Sequence, residues 1–236
     1  MNVQKRFWTE VTVEKTNAGF EVGLDGRRVK TPAKSVLALP NEALAEMIAA
    51  EWKAQEDEIQ PETMPTTRMA NSVIDKVIPN FSTIVENLAE YGGTDLLCYR
   101  ATDPAALIKR QAEAWDPLLE WADGQFGRLN VTEGVMYIEQ PKATLGKMKD
   151  AISGLNAWQI AGFHDLVTIS GSLVLALAVI SNRISVDDAW NLSRVDENWQ
   201  TEQWGEDEEA EEVAAVKFAS FKFADTFYRL ATESAI

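Results

Sequence analysis

The hydrophobic period of this chain changes once, at Pro40-Asn41, and that change limits what the chain can fold into. Before it, from Phe7 to Leu39, apolar residues alternate in short bursts broken by turn formers: Val11 and Val13, then Asn17-Ala18-Gly19, then Phe20, Val22 and Leu24. Alternation of this kind puts successive side chains on opposite faces of a strand. Asp25-Gly26 is a two-residue hairpin signal leading into Arg28-Val29-Lys30-Thr31. Ser35 to Leu39, bounded by Pro32 and Pro40, reads as a further short strand at an edge.

After Pro40 the spacing is helical. Asn41 is a good N-cap, and Leu44, Met47, Ile48 and Trp52 recur on one face of a helix running to about Asp57. A loop from Ile59 to Pro65 precedes a helix capped by Thr66 or Thr67, with Met69, Val73, Ile74 and Val77 as its stripe and Pro79 as its end. Phe81, Ile84, Val85 and Leu88 continue the pattern to Gly92-Gly93, and Thr94 to Arg100 reads as either strand or helix. Asp103-Pro104 reads as an N-cap and first helical position, followed by a broad apolar face from Leu107 to Ala122. Pro117 within that face predicts a kink or two abutting helices. Arg128 to Ile138 suggests a hairpin or an extended connection. Four helices are then expected over 144–155, 157–179, 185 to about 204, and 208–232, the third opened by an imperfect capping box, Ser185 with Asp188. The expected fold is α+β, with a small antiparallel β domain over residues 1–40 and an α-helical domain over 41–236.

Composition excludes several functions. With 37 acidic against 22 basic residues, the formal charge is −15, which is the wrong sign for binding nucleic acid or an anionic membrane surface. Cys98 is the only cysteine and sits in an apolar run, so it is expected to be a buried thiol in a chain without an intrachain disulfide. One His and one Cys do not make a zinc site, and no glycine-rich phosphate loop is present, so no cofactor or metal is expected. His164 reads as a core or boundary residue, and Ser170-Gly171-Ser172 lies within the most apolar stretch, Leu166 to Ile180, which is read as a buried core helix. That stretch is shorter than the roughly 18 to 20 residues of a membrane span, so no stable membrane insertion is expected. The start, Met1 to Trp8, carries two cations without an apolar run behind them and reads as a mature cytosolic terminus rather than a signal peptide.

What remains is aromatic and acidic. Trp199 and Trp204 stand among carboxylates in Ser193 to Glu212, with no cation between Arg194 and Lys217. A helix there sets Val195, Trp199 and Glu202 on one side. Exposed tryptophan in an acidic surface suits a docking face for another protein, and the competing reading is an amphipathic helix with its tryptophans in the core.

Several motifs in the same order carry a resemblance over about Lys5 to Gly205: Lys5-Arg6-Phe7-Trp8, Glu51-Trp52, Thr94-Asp95-Leu96-Leu97-Cys98-Tyr99-Arg100, Gln111 through Trp121, and Ser193-Arg194-Val195-Asp196-Glu197 through Trp204-Gly205. Together they resemble the assembly chaperone of the F-type ATP synthase that binds the alpha subunit of the catalytic head. The resemblance implies a non-catalytic protein that holds the free alpha subunit, keeps it from aggregating and releases it to the beta subunit. It further implies that Asp196 and Glu197 are acidic determinants of function, and that Trp52 is needed by the fold or the interaction. With Trp199, Glu202 and Trp204 these residues make up the expected protein-binding set. Mitochondrial members carry a leader, so a bacterial cytoplasmic protein, monomeric on its own, is expected. Two rival readings are a small cytosolic enzyme using the paired carboxylates Asp196 and Glu197, and an acidic decoy for a basic DNA-binding protein.

Overall fold

Two turns and one close approach organise the N-terminal sheet. In the computed structural model, which describes residues 5–232, strands β1 (Val11–Thr16) and β2 (Gly19–Leu24) form an antiparallel hairpin with Val13 opposite Val22 and Lys15 opposite Phe20. The reading of Met1 to Gln4 falls outside the described residues. Asp25 and Gly26 take φ of 46° and 77°, the positive values a tight hairpin needs, and deliver β3 (Arg27–Arg28) against Gly23 and Leu24. The Asp25 carboxylate also accepts the backbone N–H groups of Glu10, at 2.8 Å, and Thr9, and these bonds hold its pKa below the ordinary value. The strand expected over 35–39 is reduced to β4 (Ala38–Leu39), which pairs with Phe20 and Glu21. Gly19, at φ 126°, makes room for it: a Cβ there would lie 2.3 Å from the Leu39 carbonyl oxygen.

Asn41 caps α1 (Glu42–Ala54) as expected, accepting the Leu44 N–H at 3.0 Å. Leu44, Ala45, Ile48 and Ala49 form the buried stripe, and α1 packs on β1 and β2. The helix stops at Ala54, short of Asp57, because Gln55 turns extended and its side chain accepts the Gln60 N–H at 2.7 Å. The next helix, α2 (Pro65–Ser72), is not capped by Thr66 or Thr67. Instead the Glu51 carboxylate of α1 accepts the N–H groups of Thr66 and Thr67 at 2.6 and 2.8 Å, so a residue 15 positions upstream supplies the cap. Pro79 does not end the helical path either. A π turn at Val73–Val77 and a 3-10 turn at Ile78–Asn80 absorb it, and α3 (Phe81–Glu90) follows directly.

The chain divides into two compact units. The first runs through Phe81 and includes residues 157–161 and the chain from Thr226, and the second comprises Ser82–Asn156 and Gly162–Asp225. Residue 40 therefore marks a change of secondary structure, while the first unit also takes in α1 and α2.

In the second unit the ambiguous motif 94–100 is both things at once. A 3-10 turn at Leu96–Cys98 leads into β5 (Tyr99–Arg100), which pairs in parallel with β6 (Thr132–Glu133) inside an otherwise extended connection. Helix α4 (Ala105–Phe126) runs through Pro117 as one helix of 22 residues, and Pro104 rather than Asp103 occupies its N-cap. After α5 (Lys142–Ser153), the stretch expected as one helix to Val179 is two, α6 (Ala157–Ser170) and α7 (Leu173–Ile180). Gly171, at φ 69°, breaks it, and Ser172 caps α7 by accepting the Leu175 N–H at 3.0 Å. Ser170-Gly171-Ser172 is thus an interhelical corner rather than helix interior.

Asp95 fixes that corner. Its carboxylate is fully buried and accepts from Leu97 N–H at 3.0 Å, Ser172 Oγ at 2.8 Å and Val174 N–H at 2.9 Å. Leu173 through Val179 are all buried, as expected of a core helix, and none of the described helices is long and apolar enough to cross a membrane. The helix expected over 185 to about 204 is also two. Helix α8 (Val186–Ser193), opened by the Ser185/Asp188 capping box, is separated from α9 (Val195–Trp204) at Arg194. Helix α10 (Glu208–Thr232) closes the described chain.

Candidate protein-binding surface

Helix α9 is held on α4 by a row of polar contacts that begins in the core and ends in solvent. The Trp115 indole N–H donates to the Leu192 carbonyl oxygen at 2.8 Å, just before α9 begins. One turn back on α4, buried Gln111 accepts the Ala101 N–H at 2.8 Å and donates to Asp196 Oδ1 at 2.6 Å. Beside it, Arg110 makes a two-pronged ion pair with Glu202, 2.8 Å on each arm, and lies 4.9 Å from the centre of the Trp199 ring. This pairing lowers the pKa of Glu202 and raises that of Arg110 through the hydrogen bonds they share. Val195, Trp199 and Glu202 therefore do share one side of α9, with Val195 buried, Trp199 half-buried under Arg110 and Glu202 exposed.

Trp204 differs from Trp199. They stand five positions apart, which on an α-helix is about 140° of rotation, and Trp204 is 80% exposed. It forms one edge of an open groove of about 440 Å³ lined by Asp103, Pro104, Leu107, Asp196, Trp199, Gln200, Gln203 and Trp204. Gly205, at φ 94°, ends the helix beside it. Glu197 does not line the groove. It is exposed and lies 3.9 Å from Arg194, a loose contact of little strength.

Of the expected set, Asp196, Trp199 and Trp204 are thus brought to one groove, with Glu202 held beside them through Arg110, and Glu197 on an adjoining exposed position. Trp52 is not among the groove residues. It is half-buried in the first unit and packs edge-to-face on Trp8 with ring centres 5.1 Å apart, which gives it a part in the fold. Sequence reasoning passed over Arg110, Asp103 and Leu107 as site residues. Arg110 and Glu202 are 92 positions apart, so no local period announces the pair.

Other candidates for chemistry recede. His164 is exposed, not core, with Nδ1 3.0 Å from Asp165. Cys98 is buried, and burial pushes its thiol up to about 12. No three His, Cys, Asp or Glu side chains among the described residues are grouped to hold a metal ion.

The profile of the family described as ATP12 chaperone protein matches residues 5–123 of this chain. A curated relative, the mitochondrial protein atp12 of Schizosaccharomyces pombe, is 26% identical over 217 residues, covering 84% of this chain and 73% of the relative. Among solved structures, Atp12 of Paracoccus denitrificans superposes with a TM-score of 0.92 at 46% identity, covering 96% of this chain and 98% of that one. An aspartate-to-lysine mutant of the same Paracoccus protein gives the same score and identity. Atu1473 of Agrobacterium tumefaciens, described as a putative chaperone, superposes with a TM-score of 0.91 at 37% identity, covering 96% of this chain and 86% of that one. The chain belongs to the ATP12 chaperone family. That family is one of chaperones in ATP synthase assembly and not of enzymes.

Proposed function

We propose that this chaperone binds the free alpha subunit of the F-type ATP synthase head, keeps it from aggregating and gives it up to the beta subunit as the head assembles, in the cytoplasm of a bacterium. An unassembled subunit exposes an interface meant for a permanent partner, which is more apolar than ordinary surface and prone to aggregate. A surface that covers it must itself offer apolar area without aggregating. Trp204, left exposed among carboxylates beside a groove, is the observation that carries the reading, because large aromatics anchor protein interfaces and surrounding like charge keeps them soluble. Release needs no nucleotide, since a partner of higher affinity displaces a weaker one by mass action.

The test is co-expression of this chain with the alpha subunit of the same source, scoring soluble alpha subunit and co-elution on size exclusion before and after addition of the beta subunit. Alpha subunit made soluble by this chain and displaced by beta supports the reading, and indifference of the alpha subunit overturns it. Within that assay Glu197→Lys is expected to weaken the complex and leave the fold intact, since Glu197 is exposed on α9. Undiminished pull-down with the variant removes Glu197 from the binding face.

A further inference from the structure

We infer that the groove edged by Asp103 and Trp204 takes the guanidinium side chain of an arginine on the protein that docks there. The inference rests on the docking reading above and names the chemistry of its partner. Two groove residues ionise, and both are carboxylates, Asp103 and Asp196. Asp196 Oδ1 accepts from the Gln111 side-chain amide, whereas the exposed Asp103 carboxylate has no hydrogen-bond or ion-pair partner among the described residues. The cations nearby are already engaged: Arg110 by Glu202 and the Trp199 ring, Arg194 by the Trp190 ring at 5.2 Å. Pro104, Leu107, Trp199 and Trp204 supply the apolar and aromatic part of the wall and Gln200 and Gln203 its neutral polar part, and no ring or cation lies against Trp204 among the described residues.

A carboxylate and a largely exposed indole lining the same groove form a complement to a flat, delocalised cation on an aliphatic stem. Arginine fits better than lysine, because the guanidinium stacks on an aromatic face while its N–H groups reach a carboxylate sideways. The stem then covers Leu107 and Pro104. Arg110 already makes both kinds of contact within the molecule, on Trp199 and Glu202, where the same two helices meet. The room, about 440 Å³, exceeds one side chain and lies within the range of small-ligand sites. Glu206 to Glu212, all exposed and without an intervening cation, add a negative field that attracts such a partner and is weakened by salt.

The first measurement uses the full chain with 15N-labelled tryptophan and two blocked tripeptides, one with arginine and one with citrulline at the centre, which share a shape and differ in charge. The arginine peptide is expected to shift the Trp204 indole signal, identified by its loss in Trp204→Phe, and the citrulline peptide is not. The shift is expected to weaken severalfold in Asp103→Asn. Equal response to both peptides, or to neither, overturns the inference. The second measurement repeats alpha-subunit capture with Asp103→Asn and Trp204→Ala, each expected to weaken it by about tenfold, as loss of an interface anchor does. If wild type captures alpha subunit and both variants capture it equally, the groove inference falls and the chaperone reading stands. If wild type captures none, the chaperone reading falls, and the peptide titration still decides the groove.

Discussion

Replacing Asp95 by Asn is expected to destabilise the protein by an amount that shrinks as the pH rises. The wild-type carboxylate is buried and accepts from three donors, two backbone N–H groups and the Ser172 hydroxyl. Burial outweighs those bonds and raises its pKa from 3.8 to about 6. A carboxyl whose pKa is higher in the folded chain binds its proton more tightly there, so its stabilising contribution is full below about pH 3.8 and is lost as the pH rises through about 6. The difference of about two units corresponds to about 3 kcal/mol in all, of which about 1.4 kcal/mol falls between pH 5 and pH 7.5. Asparagine keeps one acceptor oxygen but turns an NH2 toward a donor, a mismatch of about 2 kcal/mol that does not titrate. The assay is urea unfolding of wild type and Asp95→Asn at pH 5 and at pH 7.5. Other titrating groups change both proteins alike and cancel in the difference. The gap is expected to close by about 1.4 kcal/mol on going to pH 7.5. A gap that is constant, or that widens with pH, refutes the argument and means that the amides, not burial, control this carboxyl.

Two substitutions and one labelling experiment probe the scaffold further. Glu51→Ala removes the cap that α2 borrows from α1 and is expected to cost about 1–2 kcal/mol with an unchanged denaturant slope; a loss below about 0.3 kcal/mol rejects the cap. Gly19→Ala drives a Cβ to within 2.3 Å of the Leu39 carbonyl oxygen at a φ of 126° and is expected to lose at least about 2 kcal/mol, read from thermal unfolding; a neutral result means β4 is not seated against β2. Cys98, buried and with its thiol raised to about 12, is expected to resist a thiol reagent at pH 8 until denaturant is added, and fast labelling of the native protein contradicts that burial.

The parts of this fold that were legible in the sequence are those whose causes are local. Asp25-Gly26 needs only its own φ values, Asn41 bonds three residues ahead, and Ser185 and Asp188 bond each other. The parts that were not legible depend on partners far along the chain. Helix α2 starts where it does because of Glu51, and α7 starts at its corner because Ser172 is gripped by an aspartate 77 positions away. The apolar run over 166–180 hid that corner, since burial on all sides erases the period that would mark two helices. At the candidate surface the five-residue spacing turns Trp199 and Trp204 about 140° apart on α9, so they differ in direction, but it does not say which of them is covered. What covers Trp199 could not be read, because Arg110 comes from another helix.

The same distinction decides where the docking surface is best probed. The motifs that carry the family resemblance are largely occupied inside the molecule: Glu51 caps α2, Asp95 holds the α7 corner, Arg100 pairs with Asp116 at 2.7 Å and lies over Trp115, and Trp115 holds Leu192. Asp196 belongs partly to this group. Its bond to Gln111 continues to the Ala101 backbone, so a lysine placed there both reverses a groove charge and leaves a buried amide without its acceptor. Loss of binding in such a variant confounds a lost contact with a loosened α9. Asp103, Glu197 and Trp204 are exposed and carry no such internal bond, so their substitution changes the surface and leaves the support of α9 in place. A docking face formed by α9 and the start of α4 therefore predicts that these three variants lose partner binding while their unfolding midpoints match wild type, whereas Asp196→Lys loses both.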